Sequence, residues 1–345
     1  MSVLESQSLG TSPRSSLVSA VLRFRELAIV VAVILVFGLT YLKTPSFASV
    51  ASVQQMLAGP AIIIMLGVGE TLVIITRNVD LSIGSVLGLS AFLVGDLFAH
   101  YPHMPVIVAL LAGLLIGLVC GVVNGVIVAY ARVPALVVTL GMLYIIRGVD
   151  AVIDNGVQIE PSQIPQSFVN LGAGTILGIP ILFIIAAAVV AVVGYVMRTF
   201  RSARDLYAIG SNPDAAVLAG VRVPRRIFSA FAISGALAGL GGALWLAEFA
   251  TVASTAGLGY ELNVVAACVV GGVAIFGGSG TVLGAALGAL LLNTIDQALV
   301  AARVSSFWNQ AVAGLLLLVA IAFDRYVSLR AERILRVEGA HHDDD

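Results

Sequence analysis

Residues 106–130 read Val-Ile-Val-Ala-Leu-Leu-Ala-Gly-Leu-Leu-Ile-Gly-Leu-Val-Cys-Gly-Val-Val-Asn-Gly-Val-Ile-Val-Ala-Tyr, twenty-five residues without a charge. A helix that is apolar all round has no face to offer water, and about 20 such residues suffice to cross a bilayer. Nine further apolar runs flank this one: Leu27–Leu42, Met56–Thr76, Ile83–Ala99, Ala135–Ile153, Ile176–Val196, Phe228–Phe249, Leu262–Ile275, Val282–Val300 and Phe307–Phe323. The composition agrees, with 59% hydrophobic and 11% charged residues in 345, against roughly a quarter charged in soluble domains. The expected fold is therefore an all-α polytopic membrane protein of about ten transmembrane helices. Its parts are a tail over 1–25, a transmembrane domain over 26–325 and a second tail over 326–345. The basic, Ser-rich start followed by an apolar run also fits a signal peptide, but nine later runs make a retained first span the simpler reading.

Charge orients the bundle. With the N-terminus inside and ten spans, fifteen of the eighteen basic residues fall on one side: Arg14, Arg23, Arg25, Arg77, Arg132, the six between Arg198 and Arg226, Arg325, Arg330, Arg333 and Arg336. Lys43 and Arg303 fall outside, and Arg147 lies near the outer end of a span. Positive residues favour the cytoplasmic side, so both termini are expected there. The net charge of −1 gives no reason to invoke nucleic acid.

Lys43 is the sole lysine, and Leu-Thr-Tyr-Leu precedes it, so the Gly-Lys-Ser/Thr of a phosphate-binding loop is missing. A process driven by ATP would need another chain to hold the nucleotide and its Mg. Cys120 and Cys268 lie inside apolar runs and read as packing residues, without metal-ligand spacing. His341-His342-Asp343-Asp344-Asp345 reads as a solvated tail.

Glycine, 36 residues, recurs at i, i+4 in Gly235–Gly239–Gly242 and Gly280–Gly284–Gly288, spacing that lets helix backbones approach in lipid. Gly84-Ser-Val-Leu-Gly88 echoes Gly280-Thr-Val-Leu-Gly284, each just after a polar break. That leaves two readings open, chance in a Gly-rich chain or an internal repeat with broken helices.

The largest polar interval runs from Arg198 to Arg226. Ser211-Asn212-Pro213 is a helix start, with Asn capping and Pro in the first turn. Asp214 sits at the positive end of the dipole and Gly220 past the helix end, predicting a short helix over Pro213–Ala219. Such a helix either docks in a partner's groove or is a plain basic loop.

Asp80 is costly at membrane depth and needs a partner or a cavity. Arg77 is the expected partner, with Asn78, Ser82 and Ser85 as further hydrogen-bonding groups near a broken or re-entrant helix. Asp80 reads either as a structural knot or as a pore-lining group. Glu70, Asp96, Asn124, Glu248, Asn293 and Asp296 read as interhelical glue. Asp154–Asn170 and Thr251–Glu261 read as outer segments.

Asp214-Ala215-Ala216 with Gly220 resembles the Glu-Ala-Ala…Gly coupling loop of bacterial ABC importer permeases. Gly210-Ser-Asn-Pro-Asp-Ala-Ala-Val-Leu-Ala-Gly-Val resembles the ribose-type branch of the branched-chain amino acid and monosaccharide permease family. Asp80-Leu-Ser-Ile-Gly-Ser85 and Gly277-Gly-Ser-Gly-Thr281 are similar to two of its signatures, and the likeness runs from about residue 27 to 325. Arg77-Asn78-Val79, Asp296 and Ser305–Asn309 look more like the rhamnose and autoinducer-2 permeases.

The resemblance implies the permease subunit of an importer in the bacterial inner membrane, translocating a monosaccharide by alternating access. It further implies a separate ATPase subunit carrying ATP and Mg, a sugar-binding protein (periplasmic or a lipoprotein), and a second permease copy or paralogue. Asn212, Pro213, Asp214, Ala215, Ala216 and Gly220 would meet the ATPase, and Asn78, Asp80, Ser82, Ser85 and Asn124 would line the pore. Asp214 stands where many relatives have Glu, which keeps the charge. The rival from another class is a proton-coupled secondary transporter using Glu70, Asp80 or Asp296. A membrane enzyme is disfavoured, since His100, His103, His341 and His342 sit in a short loop and a tail.

Overall fold

The computed structural model describes residues 13–304 and a scatter of residues between 308 and 322, with side chains from Glu26 on. The chain ends beyond these, and most of the run Phe307–Phe323, lie outside the described residues.

The described residues are mostly helical. In order, the helices are α1 (Pro13–Lys43), α2 (Val50–Ala58), α3 (Ala61–Ile75), α4 (Ile83–His100), α5 (Val106–Ala129), α6 (Ala135–Asp154) and α7 (Gln166–Ala173). A hairpin of β1 (Thr175–Ile176) and β2 (Ile179–Pro180) follows. Then come α8 (Ile181–Thr199), α9 (Arg201–Ser211), α10 (Pro213–Leu218), α11 (Val223–Phe249), α12 (Tyr260–Val270) and α13 (Val282–Ala301). Counting α2–α3 as one, eight stretches among the described residues are long and apolar enough to cross a membrane, and α12 is a shorter apolar helix.

Three predicted runs differ in detail, each for a local reason. Met56–Thr76 is two helices because Pro60 has no N–H for the helical ladder. The carbonyl of Met56, which Pro60 leaves free, accepts instead from Asn293 Nδ2 at 3.2 Å, so the glue role expected of Asn293 holds. The run Ile176–Val196 starts later, since Leu177 (φ 53°) and Gly178 (φ 82°) make a tight hairpin turn ahead of α8. Leu262–Ile275 is helical only to Val270, after which Gly271 and Gly272 release the chain.

α11 forms the centre, packed on α5, α4 and α3. The predicted small face is used: Gly235 and Gly239 meet Gly113, Gly117 and Gly121 of α5 so closely that a Cβ on Gly117 would collide with the Gly235 carbonyl and Gly239. Gly242 faces α4, where Ser90 Oγ donates to the Gly239 carbonyl at 2.7 Å. Gly284 and Gly288 likewise bring α13 onto Gly271 and Ala267. In lipid, where burial of apolar surface drives little, such contact is what holds helices together.

The two echoed pentapeptides do not occupy matching positions. Gly84 is inside α4, whereas Gly280 precedes the N-cap Thr281 of α13. What the two regions share is architecture, a helix, a non-helical break and a second helix.

Candidate coupling and pore site

Within Arg198–Arg226 the short helix predicted over Pro213–Ala219 forms as α10, and α9, Arg201–Ser211, which was not predicted, precedes it. Asn212 (φ −157°) caps α10, its Oδ1 accepting from Ala215 N at 3.1 Å, with Pro213 and Asp214 in the first turn. The helix ends at Leu218, and Gly220 (φ 78°) turns the chain back toward α11. Ala216 is buried, while Val217 and Leu218 are 59% and 90% exposed. Asp214 and Ala215 are exposed as well. This leaves an open apolar pair at the arginine-rich end of the bundle.

α9 beneath it is amphipathic. Ala203, Leu206, Ile209 and Gly210 are buried and Arg201 and Asp205 are turned outward to differing degrees. Asp205 Oδ2 accepts from Arg226 Nε at 2.9 Å and pairs with its second nitrogen at 2.8 Å, fixing α9 to the start of α11.

The C-terminus of α9 meets both helix breaks. From the first, Arg77 (φ 67°) donates from Nε to the Gly210 carbonyl at 2.6 Å and from its Nη to the Ser211 carbonyl at 2.8 Å. A cation there suits the negative end of the α9 dipole. From the second, Gly278 N donates to the Ile75 carbonyl at 2.9 Å, joining the two breaks to each other. Gly210 lies between them, and a Cβ there would strike the Ile75 carbonyl and Gly278. Tyr207 of α9 donates its hydroxyl to the Gly280 carbonyl at 3.0 Å. Burial pushes the Tyr207 pKa up, with Arg198 pulling the other way, so the hydroxyl keeps its proton as a donor at physiological pH.

The expected Arg77–Asp80 pair is therefore corrected: Arg77 serves the carbonyls of α9, and among the described residues no ion pair joins it to Asp80. Asp80, 1% exposed, is instead held within its own break. Its Oδ1 accepts from Ser82 N at 3.0 Å and Ser82 Oγ at 2.6 Å, and Asn124 of α5 donates to Ser82 Oγ at 2.8 Å. Glu70 Oε1 accepts from Asp80 N at 3.0 Å. Thus Asp80, Ser82 and Asn124 do come together, with Glu70 added. Ser85 Oγ donates to the Ser82 carbonyl at 2.7 Å, and Asn78 turns aside to Thr76. The geometry is that of a knot that closes broken backbone against α3 and α5.

Thr251–Glu261 is not a simple outer loop. Val252 pairs with Ile159, which lies on Gly95; Ala256 lies on Gly88, and Gly257 and Glu261 lie on Gly84. The chain thus runs from the outer end down the side of α4 before α12 begins. Arg147 of α6 holds it by donating to the Ala256 carbonyl, with the Ser254 carbonyl at 3.5 Å. Sequence reasoning missed this insertion; the signal available was the glycine series Gly84, Gly88 and Gly95 on one helix side.

The chain matches the family described as branched-chain amino acid transport system / permease component over residues 52–321, and it belongs to that family. It is a multi-pass permease of the inner membrane. Among similar curated proteins are the autoinducer 2 import system permease proteins LsrC of Shigella flexneri and of Escherichia coli (strain K12 / DH10B). Each is 36% identical over 318 residues, covering 90% of both chains. The LsrC of Salmonella paratyphi B is 34% identical over 312 residues, 90% of this chain and 89% of its own. No solved structure gives a significant match.

Proposed function

We propose that this chain is the membrane pore of an ATP-driven importer of a small sugar, moved by an ATPase subunit that presses on α10. The observation that carries this reading is the linkage of α9–α10 to both helix breaks through Arg77, Tyr207 and the Gly278–Ile75 bond. A push on α10 reaches α3–α4 and α12–α13 together, the kind of rigid-element shift that alternating access requires. Val217 and Leu218 supply the apolar anchor for a groove on the ATPase. ATP and Mg stay on that partner, a sugar-binding protein delivers solute to the opposite face, and a second permease copy or paralogue completes the pore. The relatives' names, autoinducer 2 import system permease proteins, support a sugar-like cargo of that size and polarity.

The test uses Leu218→Asp and Gly220→Trp. Leu218 is exposed, so Leu218→Asp is expected to fold. A side chain at Gly220 meets open space but strains a backbone at φ 78° by about 1–2 kcal/mol, so Gly220→Trp is read alongside its thermal unfolding midpoint. Each variant is expected to lose at least about tenfold in capture of the ATPase and in ATP-dependent uptake, as removal of an interface anchor does. Intact assembly and uptake in both would end the docking role. The proton-coupled reading retains one observation, the meeting of buried Glu70 and Asp80; uptake that persists without the ATPase and collapses with an uncoupler would favour it.

A further inference from the structure

α6 has two unlike faces. Val137, Tyr144 and Val152 are exposed on one, while Thr139, Ile146, Asp150 and Asp154 are buried on the other. Arg147, Asp150 and Asp154, at i, i+3 and i+7, stack along one side of the helix. Opposite them stand Glu261 and the turn-rich segment Thr251–Gly259, seated on α4.

The four charged side chains form a row in which Arg147 interacts with Asp150 and Glu261, and Asp150 with Asp154, while Asp154 Oδ1 accepts from Gly156 N at 2.9 Å. Asp150 and Asp154 are 1% and 3% exposed. Neither oxygen of Asp150 has a hydrogen-bond partner, nor do Asp154 Oδ2, Glu261 Oε2 and Arg147 Nε. Asp150 and Glu261 act electrostatically on Arg147, yet among the described residues no ion pair joins Arg147 to either. Buried polar atoms are almost always paired in a finished structure. Five orphans along one row, with opposite charges held apart, are what a ligand with several hydroxyls would complete.

We propose that Arg147, Asp150, Asp154 and Glu261 form an outer solute station of the pore, binding the vicinal hydroxyls of a neutral polyol. This rests on the importer reading above. The orphans are four acceptors and one donor, so the ligand must bring several donors and at least one acceptor. Hydroxyls do both: adjacent O–H groups donate to the carboxylates, and an oxygen lone pair takes Arg147 Nε–H. An anion would meet three acids against one base. A metal ion has no suitable cage, since no group of three or more His, Cys, Asp or Glu among the described residues has holding geometry. Thr251–Gly259 completes the picture, because non-helical backbone at membrane depth persists where it is buried in protein or lines a polar cavity.

The test uses the full complex, permease with ATPase and binding protein, in proteoliposomes. Asp150→Asn, Asp154→Asn and Glu261→Gln keep shape and remove one charge each. Each is expected to lower ATP-dependent uptake of radiolabelled ribose or rhamnose by about tenfold, the loss of one charge-assisted contact, while hydrolysis stimulated by the loaded binding protein persists. Diazirine derivatives of the same sugars, photolysed with the unmutated complex, are expected to label 147–154 or 254–261, a readout that does not depend on variant folding. Label elsewhere, or wild-type uptake in all three variants, overturns the station and leaves the importer standing. If the unmutated complex imports neither sugar on ATP, the importer reading for these sugars falls and the station with it.

Discussion

The two helix breaks do the same job with opposite chemistry. Between α3 and α4 the N–H groups of Thr76, Arg77 and Asn78 turn back to α3 carbonyls, and beyond them side chains take over: Asp80 takes Ser82 N, Glu70 takes Asp80 N, and Thr76 Oγ1 bonds the Val73 carbonyl. One residue there, Arg77, is left-handed. Between α12 and α13 the backbone largely satisfies itself, with the Tyr207 hydroxyl donating to the Gly280 carbonyl. Gly272, Gly277, Gly278 and Gly280 all have positive φ, and Ala274 N bonds the Ser279 carbonyl at 3.0 Å while Gly277 N bonds the Ala274 carbonyl at 2.9 Å. The first break is thus specified by side-chain chemistry and the second by the absence of side chains. Both end on the last turn of α9, so a single element contacts two mechanically different joints.

That contrast can be broken experimentally. Gly210→Val attacks the point where both breaks meet α9, and should cost about 3 kcal/mol, the upper range for overpacking. Thermal unfolding of the purified chain in detergent would show it, and an unchanged midpoint would mean that the three elements are not in contact. Asp80→Ala strips the first break only, leaving Ser82 N–H and its hydroxyl unpaired at about 2 kcal/mol. Asp80→Asn should recover part of this, and full tolerance of both would refute the side-chain lock. Gly278→Ala strains the second break by about 1–2 kcal/mol for a left-handed L-residue and crowds its contact with Gly210 and Ser211 of α9, leaving the first break's own bonds in place. If Gly278→Ala is silent while Asp80→Ala is not, the second joint is the softer one. Tyr207→Phe removes one hydrogen bond to Gly280, about 1 kcal/mol. Its sharper readout is coupling: uptake per ATP hydrolysed by the assembled complex is expected to fall while hydrolysis continues.

Much of the bundle was legible because its cause is local. Apolar runs and arginine bias need no tertiary information, and the Asn212–Gly220 helix was written in a cap, a proline and a terminal glycine. The pairing of Gly235 and Gly239 with a helix was readable as a face, but its partner on α5 was not, because one sequence cannot say which two small faces meet. Arg77 was misassigned to Asp80 for a related reason. Three residues of separation made the pair look natural, whereas the carbonyls of Gly210 and Ser211 become available only once α9 has folded under the break. The insertion of Thr251–Gly259 was hidden because its composition resembles that of any Gly-rich loop, and its depth depends on small residues far away in sequence.

That insertion also constrains the order in which the molecule can be built. α12 has 11 residues and reaches about 16 Å, roughly half of a hydrocarbon core about 30 Å thick. The turn-rich Thr251–Gly259 must cover the remainder, and its peptide groups cannot be released into lipid, where each unsatisfied one is costly. Unlike α5, this segment cannot leave the insertion machinery as an independent span. It needs the glycine side of α4 and the carbonyl-binding Arg147 of α6 already in place, and both emerge from the ribosome well before it. The N-terminal half is thus the template on which the second joint is laid.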